Sequence, residues 1–268
     1  MIRTLTPADF EAVFAAFADA FSDYVVKLSP TREQLAEMLT RRGYLPEASV
    51  GMFDDGRLVA FTLNGVDGER AYDSGTGVVL SHRRRGLGRR IMEASMDVLR
   101  ERGCASYVLE VIDANAPAVE LYRGLGFRET RGLQCWSLTA EAVKAATAVA
   151  ALRTAWQNSD ASVARAKDAH VVLGDERGSV ILFPGNGDLA QLRGMVDSAL
   201  LKEAATIAGK PLRIMNVDER DREMAAFLEV AGATKTVRQL EMMAEFVLSP
   251  GREAAPHDAE QHPGSGGR

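Results

Sequence analysis

The chain lacks several features that mark extracellular, membrane and metal-binding proteins. Its two cysteines, Cys104 and Cys135, are too few for a disulfide framework and do not have metal-site spacing. We expect both thiols to be small buried side chains in a reducing compartment. No apolar run approaches the ~18 residues that a transmembrane helix needs, and the polar start "MIRTLTPADF" lacks the apolar region of a signal peptide. These absences predict a cytoplasmic protein with no membrane partner and no metal ion.

Positive charge is also in short supply, because 32 lysines and arginines face 37 aspartates and glutamates, for a net charge of -5. Proteins that grip nucleic acid are usually basic overall. We therefore expect no nucleic-acid partner, although this balance is compatible with one local cationic site. What the chain does have is 46% hydrophobic residues over 268 positions. That is enough for a packed core in one large domain or in two of ordinary size.

The spacing of apolar residues predicts a mixed α/β domain in residues 1–138. Apolar side chains recur at helical spacing near the start of the chain, at Phe10, Val13, Phe14, Phe17 and Phe21. Two apolar runs flank Asp55 and Gly56, the strongest short hairpin signal in the chain. Further runs give elements in the order β-α-α-β-β-β-α-β-α-β, closing on the strand "LQCWSL".

The rest of the chain resembles a degenerate repeat of this domain. Three pairs of similar residues fix the register: Val111 with Val217, Leu121 with Phe227, and Gly126 with Gly232. A repeat this long indicates domain duplication rather than a solenoid. The alternative is that any strand–helix–turn unit pairs in this way by chance.

These patterns divide the chain into four parts. We predict a first domain over 1–138, an alanine-rich helical linker over 139–160, and a degenerate second domain over 161–248. The tail over 249–268 is rich in proline and glycine and poor in apolar residues, so we expect it to be disordered.

The most informative stretch is "SHRRRGLGRRIMEASM", from Ser81 to Met96. It follows a predicted strand and opens a predicted helix, the context that makes a glycine-rich turn informative. A helix N-terminus exposes unpaired N–H groups, and Gly86 and Gly88 let the backbone curl so that several N–H groups face one anion. The arrangement suits a pyrophosphate. The alternative is a solvated basic helix start.

Two motifs together resemble the GNAT superfamily of acyl-CoA-dependent N-acyltransferases. The first, R-x-x-G-x-G, consists of Arg83, Gly86 and Gly88. The second, N-x-x-A-x-x-L-Y-x-x-x-G-F, consists of Asn115, Ala118, Leu121, Tyr122, Gly126 and Phe127. The resemblance implies an α/β (α+β) GNAT fold, with a mixed, mostly antiparallel central sheet flanked by helices and a V-shaped splay between strands 4 and 5. It also favours a tandem duplication with a degenerate second unit.

The resemblance implies acetyl-CoA as co-substrate, lying between "SGTGVVL" and "SYVLEVI". The backbone of Val78, Val79 and Leu80 is then expected to pair with the pantetheine arm, and Asn115 to steady that arm or the backbone beside it. Backbone N–H groups of residues 84–89 are expected to hold the pyrophosphate. The implied loop comprises Arg83, whose side chain supports it, and Arg84, Arg85, Gly86, Leu87, Gly88 and Arg89.

The resemblance also assigns catalytic roles. Tyr122 matches the tyrosine that protonates the leaving thiolate in many members of the family; the alternative is a ring that only packs against the sheet. An incoming amine is mostly protonated at neutral pH, so a base must accept its proton. Glu110 is slightly preferred to Asp73 as that base, and a carboxylate acting through an ordered water is equally compatible with the family.

The amine itself is not indicated by any motif. A small-molecule or peptide amine is expected to meet the first two helices, with Asp23, Tyr24 and Tyr72 as candidate lining residues. The resemblance also allows a homodimer. Two other functions stay open: an acyl-CoA sensor without turnover, and a nucleic-acid binder that uses the arginine run.

The second half departs from the pattern of the first. Leu228 stands in place of the tyrosine and Asp221 in place of the asparagine. In one register Gly185 and Gly187 are retained without the preceding arginine; in the other, "GDLAQL" is the fourth strand and the loop after it is too short for a pyrophosphate. Both registers predict a half that does not bind acyl-CoA, and that stabilises the first half, walls its cleft or forms an oligomer contact.

Overall fold

A computed structural model describes residues 1–24, 26, 29–151 and 155–247. In the first half of the chain, residues 1–138, the strands are β1 (Ile2–Thr4), β2 (Val50–Asp54), β3 (Arg57–Asp67), β4 (Arg70–Val78), β5 (Ser106–Ile112) and β6 (Arg128–Leu138). The helices of this half are α1 (Phe10–Ala20), α2 (Arg32–Arg41), α3 (Leu87–Glu101) and α4 (Ala116–Arg123).

The second half, residues 139–247, repeats this alternation. Its strands are β7 (Val149–Ala151), β8 (Val171–Gly174), β9 (Gly178–Phe183), β10 (Asp188–Val196), β11 (Leu212–Asp218) and β12 (Thr234–Glu245). Its helices are α5 (Asp160–Arg165), α6 (Ser198–Ala208) and α7 (Arg222–Val230).

One twelve-stranded sheet runs through both halves in the order β1-β2-β3-β4-β5-β12-β6-β11-β10-β9-β8, with β7 paired to β10 off this path. Most neighbours are antiparallel, but β4 and β5 are parallel and pair only from Arg70 with Ser106 to Tyr72 with Val108. Beyond that point the strands separate, and we call the gap the first fork. The predicted mixed sheet with a splay between the fourth and fifth strands is confirmed.

Local sequence explains why the elements around the first fork form. Asp55 and Gly56 both take positive φ, +46° and +76°, in the tight turn between β2 and β3. The hydroxyl of Thr31 accepts the N–H of Gln34 and caps α2. Gly86, at φ +72°, precedes α3 in the left-handed conformation that glycine adopts without steric cost.

The two halves exchange their last strands. β12 is inserted between β5 and β6, and β6 lies between β12 and β11. The exchange carries core residues with it: Trp136 and Leu138 of β6 pack in the core of the second half, while Leu240 and Met242 of β12 pack in a core of the first half. Each half therefore depends on a strand from the other to cover its apolar face.

The duplicated register is visible in the geometry. Asn115 and Asp221 each cap the following helix by accepting the N–H three residues on, and Gly126 and Gly232 have φ of +92° and +94°. Helix α6 ends at a glycine in the left-handed conformation, as that register requires. Of the two registers for the preceding strand, the structure has the one in which "GDLAQL" enters β10, and Asp197 alone separates β10 from α6.

The helical linker predicted over 139–160 is wrong for the residues that the structure describes. Residues 140–142 form a single 3₁₀ turn, and Val149–Ala151 is a strand that pairs with β10. Alanine favours a helix only weakly, and short helices need packing to persist. Here the backbone finds partners outside itself: Lys144 N–H donates to Ala231 O, and Ala146 N–H to the Ser198 hydroxyl.

The tail predicted to be disordered lies outside the described residues. Within the described ranges, the helices are too short or too polar to cross a bilayer.

Candidate active site

Asp73 lies at the point where β4 leaves β5, and its side chain is buried. One carboxylate oxygen accepts the N–H of Gly75 at 2.8 Å, and the other accepts the hydroxyl of Thr76 at 2.7 Å. Burial, only partly offset by these bonds, raises the pKa of Asp73 to about 6. Both of its oxygens therefore already have donors within the turn.

Tyr122 lies across from Asp73 on α4, with its ring against Phe127 at a centroid distance of 5.8 Å. Burial is the main cause that raises the pKa of Tyr122 well above its usual value, and the nearby Asp73 carboxylate adds to it. The Tyr122 hydroxyl also interacts with the side chain of Thr76. Thr76 thus links the phenol to Asp73, and the phenol stays protonated at neutral pH.

Tyr24, after the end of α1, joins this group. Its hydroxyl interacts with the side chain of Asn115, and burial raises its pKa. Because Tyr24 also contributes to the pKa shift of Tyr122, the two phenols lie close together. The neighbouring Asp23 instead pairs with Arg83 at 2.8 Å and is largely exposed, which places it at the glycine-rich loop rather than beside Tyr122.

Glu110 occupies the other side of the first fork, on β5. Its Oε2 accepts an N–H from the side chain of Gln157 and another from Asn216, the latter at 2.7 Å. Its Oε1 is buried and has no hydrogen-bond partner among the described residues. Burial raises the pKa of Glu110, and the positive charge of Arg42 and the two amide donors oppose that shift.

Tyr72 closes the fork toward the second half. Its ring stacks on Trp156 with a centroid distance of 5.2 Å and an angle of 6°, and its hydroxyl accepts from Gln157 at 3.1 Å. The side chain is almost fully buried. It therefore forms a wall between the halves, rather than an open lining of the kind that the sequence suggested.

The glycine-rich loop is built as a helix N-terminus. Arg90 N–H is the first to reach back within α3, to Gly86 O, so the N–H groups of residues 87–89 have no partner within the helix. Arg84 adds a positive φ of +59° just before them. Gly88 lies so close to α4 that a Cβ there would be 3.4 Å from the Leu121 side chain.

Arginine side chains brace this loop from behind. Arg83 donates to the Asp23 carboxylate, to Ala20 O at 2.7 Å and to Val78 O at 3.3 Å. Arg85 and Arg89 reach backbone carbonyls, of Ser81 and Gly124 respectively. These contacts hold the loop against α1 and α4.

The backbone after Thr76 faces the fork at alternate residues. Val79 N–H donates to Val59 O on β3, so the backbone groups of Val78 point to the other side, toward the gap. Leu80 begins a 3₁₀ turn, where its N–H donates to the Asp19 carboxylate at 2.7 Å and its carbonyl accepts Arg83 N–H. Of the three residues predicted to pair with a pantetheine arm, Val78 is the one whose backbone groups face the gap, and its carbonyl accepts from the Arg83 side chain.

This fork, with a helix N-terminus at its end, can be compared with known proteins. Residues 10–127 match the Acetyltransferase (GNAT) family. This part of the chain is therefore similar to a GNAT acetyltransferase domain. It is 33% identical over 129 residues to mycothiol acetyltransferase of Clavibacter sepedonicus, covering 48% of this chain and 42% of that protein. It is 39% identical over 75 residues to [ribosomal protein bS18]-alanine N-acetyltransferase of Escherichia coli K12, covering 28% and 51%. The chain thus spans about half the length of these relatives.

Two solved structures share the fold over both halves. A GCN5-related N-acetyltransferase of Sphaerobacter thermophilus superposes with a TM-score of 0.60 at 13% identity, covering 94% of this chain and 97% of that one. A protein of Pyrococcus horikoshii gives a TM-score of 0.67 at 15% identity, covering 92% and 90%. The fold of both halves together, and not only of residues 10–127, therefore occurs elsewhere.

The second half keeps a fork but not the groups of the GNAT site. β10 and β11 pair only at Asp188 with Arg213 and Leu189 with Ile214 before they separate; we call this gap the second fork. In the ladder register, the positions of Asp73, Glu110 and Tyr122 are taken by Ala190, Asn216 and Leu228. A cavity of about 40 Å³ remains there.

Strand β7 occupies the edge of β10 at the second fork. Val149, Ala150 and Ala151 pair with Val196, Met195 and Gly194. These positions of β10 correspond to Gly77–Val79 of β4, beside the first fork. A segment of the chain itself therefore lies where the resemblance puts the pantetheine arm in the first half.

Four residues at the first fork were missed from the sequence: Arg42, Thr76, Gln157 and Asn216. A signal existed for Asn216, because the repeat alignment makes it the equivalent of Glu110. Gln157 lies in the segment taken for a helical linker, where nothing indicated a role. Arg42 and Thr76 carry no motif, and only the fold brings them to the site.

Proposed function

We propose that this chain is an acetyl-CoA-dependent N-acetyltransferase that transfers an acetyl group to a primary amine, with the chemistry in the first half. The observation that carries this proposal is the pairing of opposite proton roles at one fork. Tyr122 is held protonated on one side, and on the other side Oε1 of Glu110 has no hydrogen-bond donor among the residues that the structure describes. The fork leads to the free N–H groups at the start of α3.

The residues of the first fork fit acetyl-CoA. The N–H groups of residues 87–89 and the curl at Arg84 and Gly86 suit a pyrophosphate. The Val78 N–H, on the gap side of β4, suits an arm laid along that strand. Acetyl-CoA supplies an acetyl group activated as a thioester. Asn115 caps α4 beside Tyr24, so it is in position to steady the arm or the backbone next to it.

Glu110 is the base that the contacts favour. The incoming amine is mostly protonated at neutral pH, and a carboxylate with an open oxygen can accept its proton. Asp73 is the weaker candidate, because both of its oxygens accept bonds from its own turn. Asp73 instead lies beside Thr76 and Tyr122, where its charge adds to the burial that raises the pKa of the phenol.

Tyr122 is the acid in this proposal. When the amine nitrogen bonds to the acetyl carbon, the carbon–sulfur bond breaks and the thiolate takes the phenolic proton. General acid help of this kind contributes typically ~10²–10⁴-fold. The nitrogen, which began as an ammonium group and gave one proton to Glu110, loses its second proton to the phenolate, and the Glu110 carboxyl group releases its proton to water.

The test is release of free CoA from acetyl-CoA in the presence of an amine panel. The panel includes polyamines, amino acids, aminoglycosides and peptides, one of them with an N-terminal alanine as in the name of the bS18-modifying relative. Turnover with at least one amine, abolished in Tyr122→Phe and Glu110→Gln, is the expected result. Tight binding of acetyl-CoA with no turnover on any amine would instead favour a non-catalytic acyl-CoA sensor.

A further inference from the structure

The two oxygens of the Glu110 carboxylate are in different environments. Oε2 accepts two amide N–H groups, from Gln157 and Asn216, and both donors belong to the second half of the chain. Oε1 is equally buried and has no partner among the described residues. A buried carboxylate oxygen without a donor carries a free-energy cost, so one that persists in a cleft points to a ligand that supplies the missing hydrogen.

Both amides are themselves fixed in place. Asn216 is buried at φ +62°, in a bulge of β11, and its Oδ1 accepts Gln239 Nε2 at 2.9 Å. Gln157 donates to Tyr72 as well as to Glu110, and its Oε1 accepts from Arg42. Neither amide can turn its oxygen toward Glu110 without losing these bonds.

Other charged and titratable groups also face Glu110. The positive charge of Arg42, just after α2, lowers the pKa of Glu110, and the negative charge of Glu241 on β12 raises it. The Tyr72 hydroxyl on β4 interacts with the Glu110 side chain, and Cys135 on β6 lies nearby. Arg42 stabilises the carboxylate from the side of the first half, and the two amides do so from the second half.

We propose that the second half is part of the catalytic machinery: Gln157 and Asn216 are positioning residues that hold Oε2 of Glu110, so that Oε1 receives the amine proton. The inference rests on the proposed function, with Glu110 as base. The amine nitrogen loses a proton to Oε1 as it bonds to the acetyl carbon, and the sulfur leaves with the proton of Tyr122.

Asn216→Asp is the sharpest variant. Aspartate keeps the size of the side chain, tolerates positive φ and preserves an oxygen for Gln239, but it replaces the donor to Glu110 with a like charge. Both changes disfavour the Glu110 carboxylate. Gln157→Met removes the other donor at similar length. Asn186→Asp is the matched control, since Asn186 lies in the turn before β10 and its side chain bonds to Asp188 rather than to Glu110.

The first measurement is independent of turnover. Protein labelled with ¹³C at the glutamate carboxyl carbon is titrated by NMR, and the Glu110 signal is assigned by its loss in Glu110→Gln. We expect the Glu110 titration to move upward by about one pH unit or more in Asn216→Asp, upward by less in Gln157→Met, and not at all in Asn186→Asp. Identical titrations in all four proteins would overturn the inference.

The second measurement is the pH profile of kcat with one amine, so that the titration of the amine itself is common to every protein. The acidic limb is expected to move upward in Asn216→Asp, with most of the rate recovered above the new limb and an unchanged KM for acetyl-CoA. A uniform loss of rate at every pH would show a purely structural role and contradict the inference. If Glu110→Gln retains full turnover, the choice of base is wrong and this inference falls with it. If no amine is turned over by the wild type, the proposed function fails instead.

Discussion

At the first fork, residues 79–86 lie between β4 and α3, whereas at the second fork Asp197 alone joins β10 to α6. The same two halves that share caps and glycine turns therefore differ at the place where a pyrophosphate would be held. Three further positions differ in chemistry, since Ala190, Asn216 and Leu228 replace Asp73, Glu110 and Tyr122. Loss of chemistry has not been accompanied by loss of architecture.

The exchanged strands explain why the first half needs the second half to fold. The last strand of the second half lies inside the sheet of the first half, and the last strand of the first half lies inside that of the second. Removing either half would leave a strand without a neighbour and a core without its cover. Where the two halves meet, Asn216 donates a hydrogen bond to Glu110, the residue at the equivalent position of the first half.

The largest expected effect is on kcat, and it distinguishes Tyr122 on α4 from Leu228 at the equivalent position of α7. Tyr122→Phe should lower kcat roughly 10²–10⁴-fold because the phenolic proton is lost, with little change in the dissociation constant of acetyl-CoA. Steady-state kinetics and calorimetry measure the two quantities. The matched control is Leu228→Met at the equivalent position of α7, which should leave kcat within twofold. Equal kcat in Tyr122→Phe and wild type would refute the acid role.

A second effect tests whether the halves are one folding unit. Leu201 is fully buried in the core of the second half. We expect Leu201→Ala to lower the unfolding free energy by about 2–5 kcal/mol. Because the strands are exchanged, we expect one transition by circular dichroism, with acetyl-CoA binding lost in the same range. Leu35→Ala in the first-half core should behave alike. Two separate transitions would mean that the halves fold independently.

A third effect concerns the number of acyl-CoA sites. Calorimetric titration should give one acetyl-CoA per chain, because the second fork lacks a loop and is bordered by β7. Arg83→Ala should raise the dissociation constant about tenfold, since charged hydrogen bonds to the loop are lost. Arg85→Ala, whose side chain is exposed and reaches only Ser81 O, is the control with a smaller change. Two acetyl-CoA molecules per chain would contradict the prediction that the second fork binds no acyl-CoA.

The smallest effect is a pH-dependent stability of the first fork. Since the pKa of Asp73 is raised from 3.8 to about 6 in the folded protein, the folded state binds the proton more tightly, and stability falls as pH rises through this window. Asp73→Asn should therefore raise the unfolding free energy by about 1–2 kcal/mol at pH 7.5 and very little at pH 4. Urea titrations at both pH values measure it. Ala190→Asp, at the equivalent position of the second fork, should lower the unfolding free energy at pH 7.5. A gain in Asp73→Asn at pH 4 equal to its gain at pH 7.5 would contradict the explanation.

The parts of the fold that are local in sequence could be predicted. The motif from Asn115 to Phe127 contains its own cap, helix and glycine, and the hairpin at Asp55 and Gly56 is fixed by its turn residues. The strand exchange could not be predicted, because β6 and β12 have the same apolar alternation whichever partner they join. The linker was misjudged because alanine content reports propensity, while pairing with β10 decided the outcome.

The site followed the same division. Tyr122 was found through the resemblance of its motif to the GNAT family, and Asp73 and Glu110 through their places on predicted strands; the structure brings all three to one fork. The donors to Glu110 come from the other half, at distances in sequence that no motif spans. Only the repeat register pointed to Asn216, and only as a replaced residue rather than as a contact.

Strand β7 has a consequence for how this molecule could change. With Val149–Ala151 bonded along β10 and Asp197 as the sole connection to α6, point substitutions alone cannot restore a cofactor site in the second half. Regaining one would require an insertion before α6 and the release of β7, and each step alone would weaken a closed structure before it offered any binding. The second fork is thus locked into its present role by the chain's own backbone.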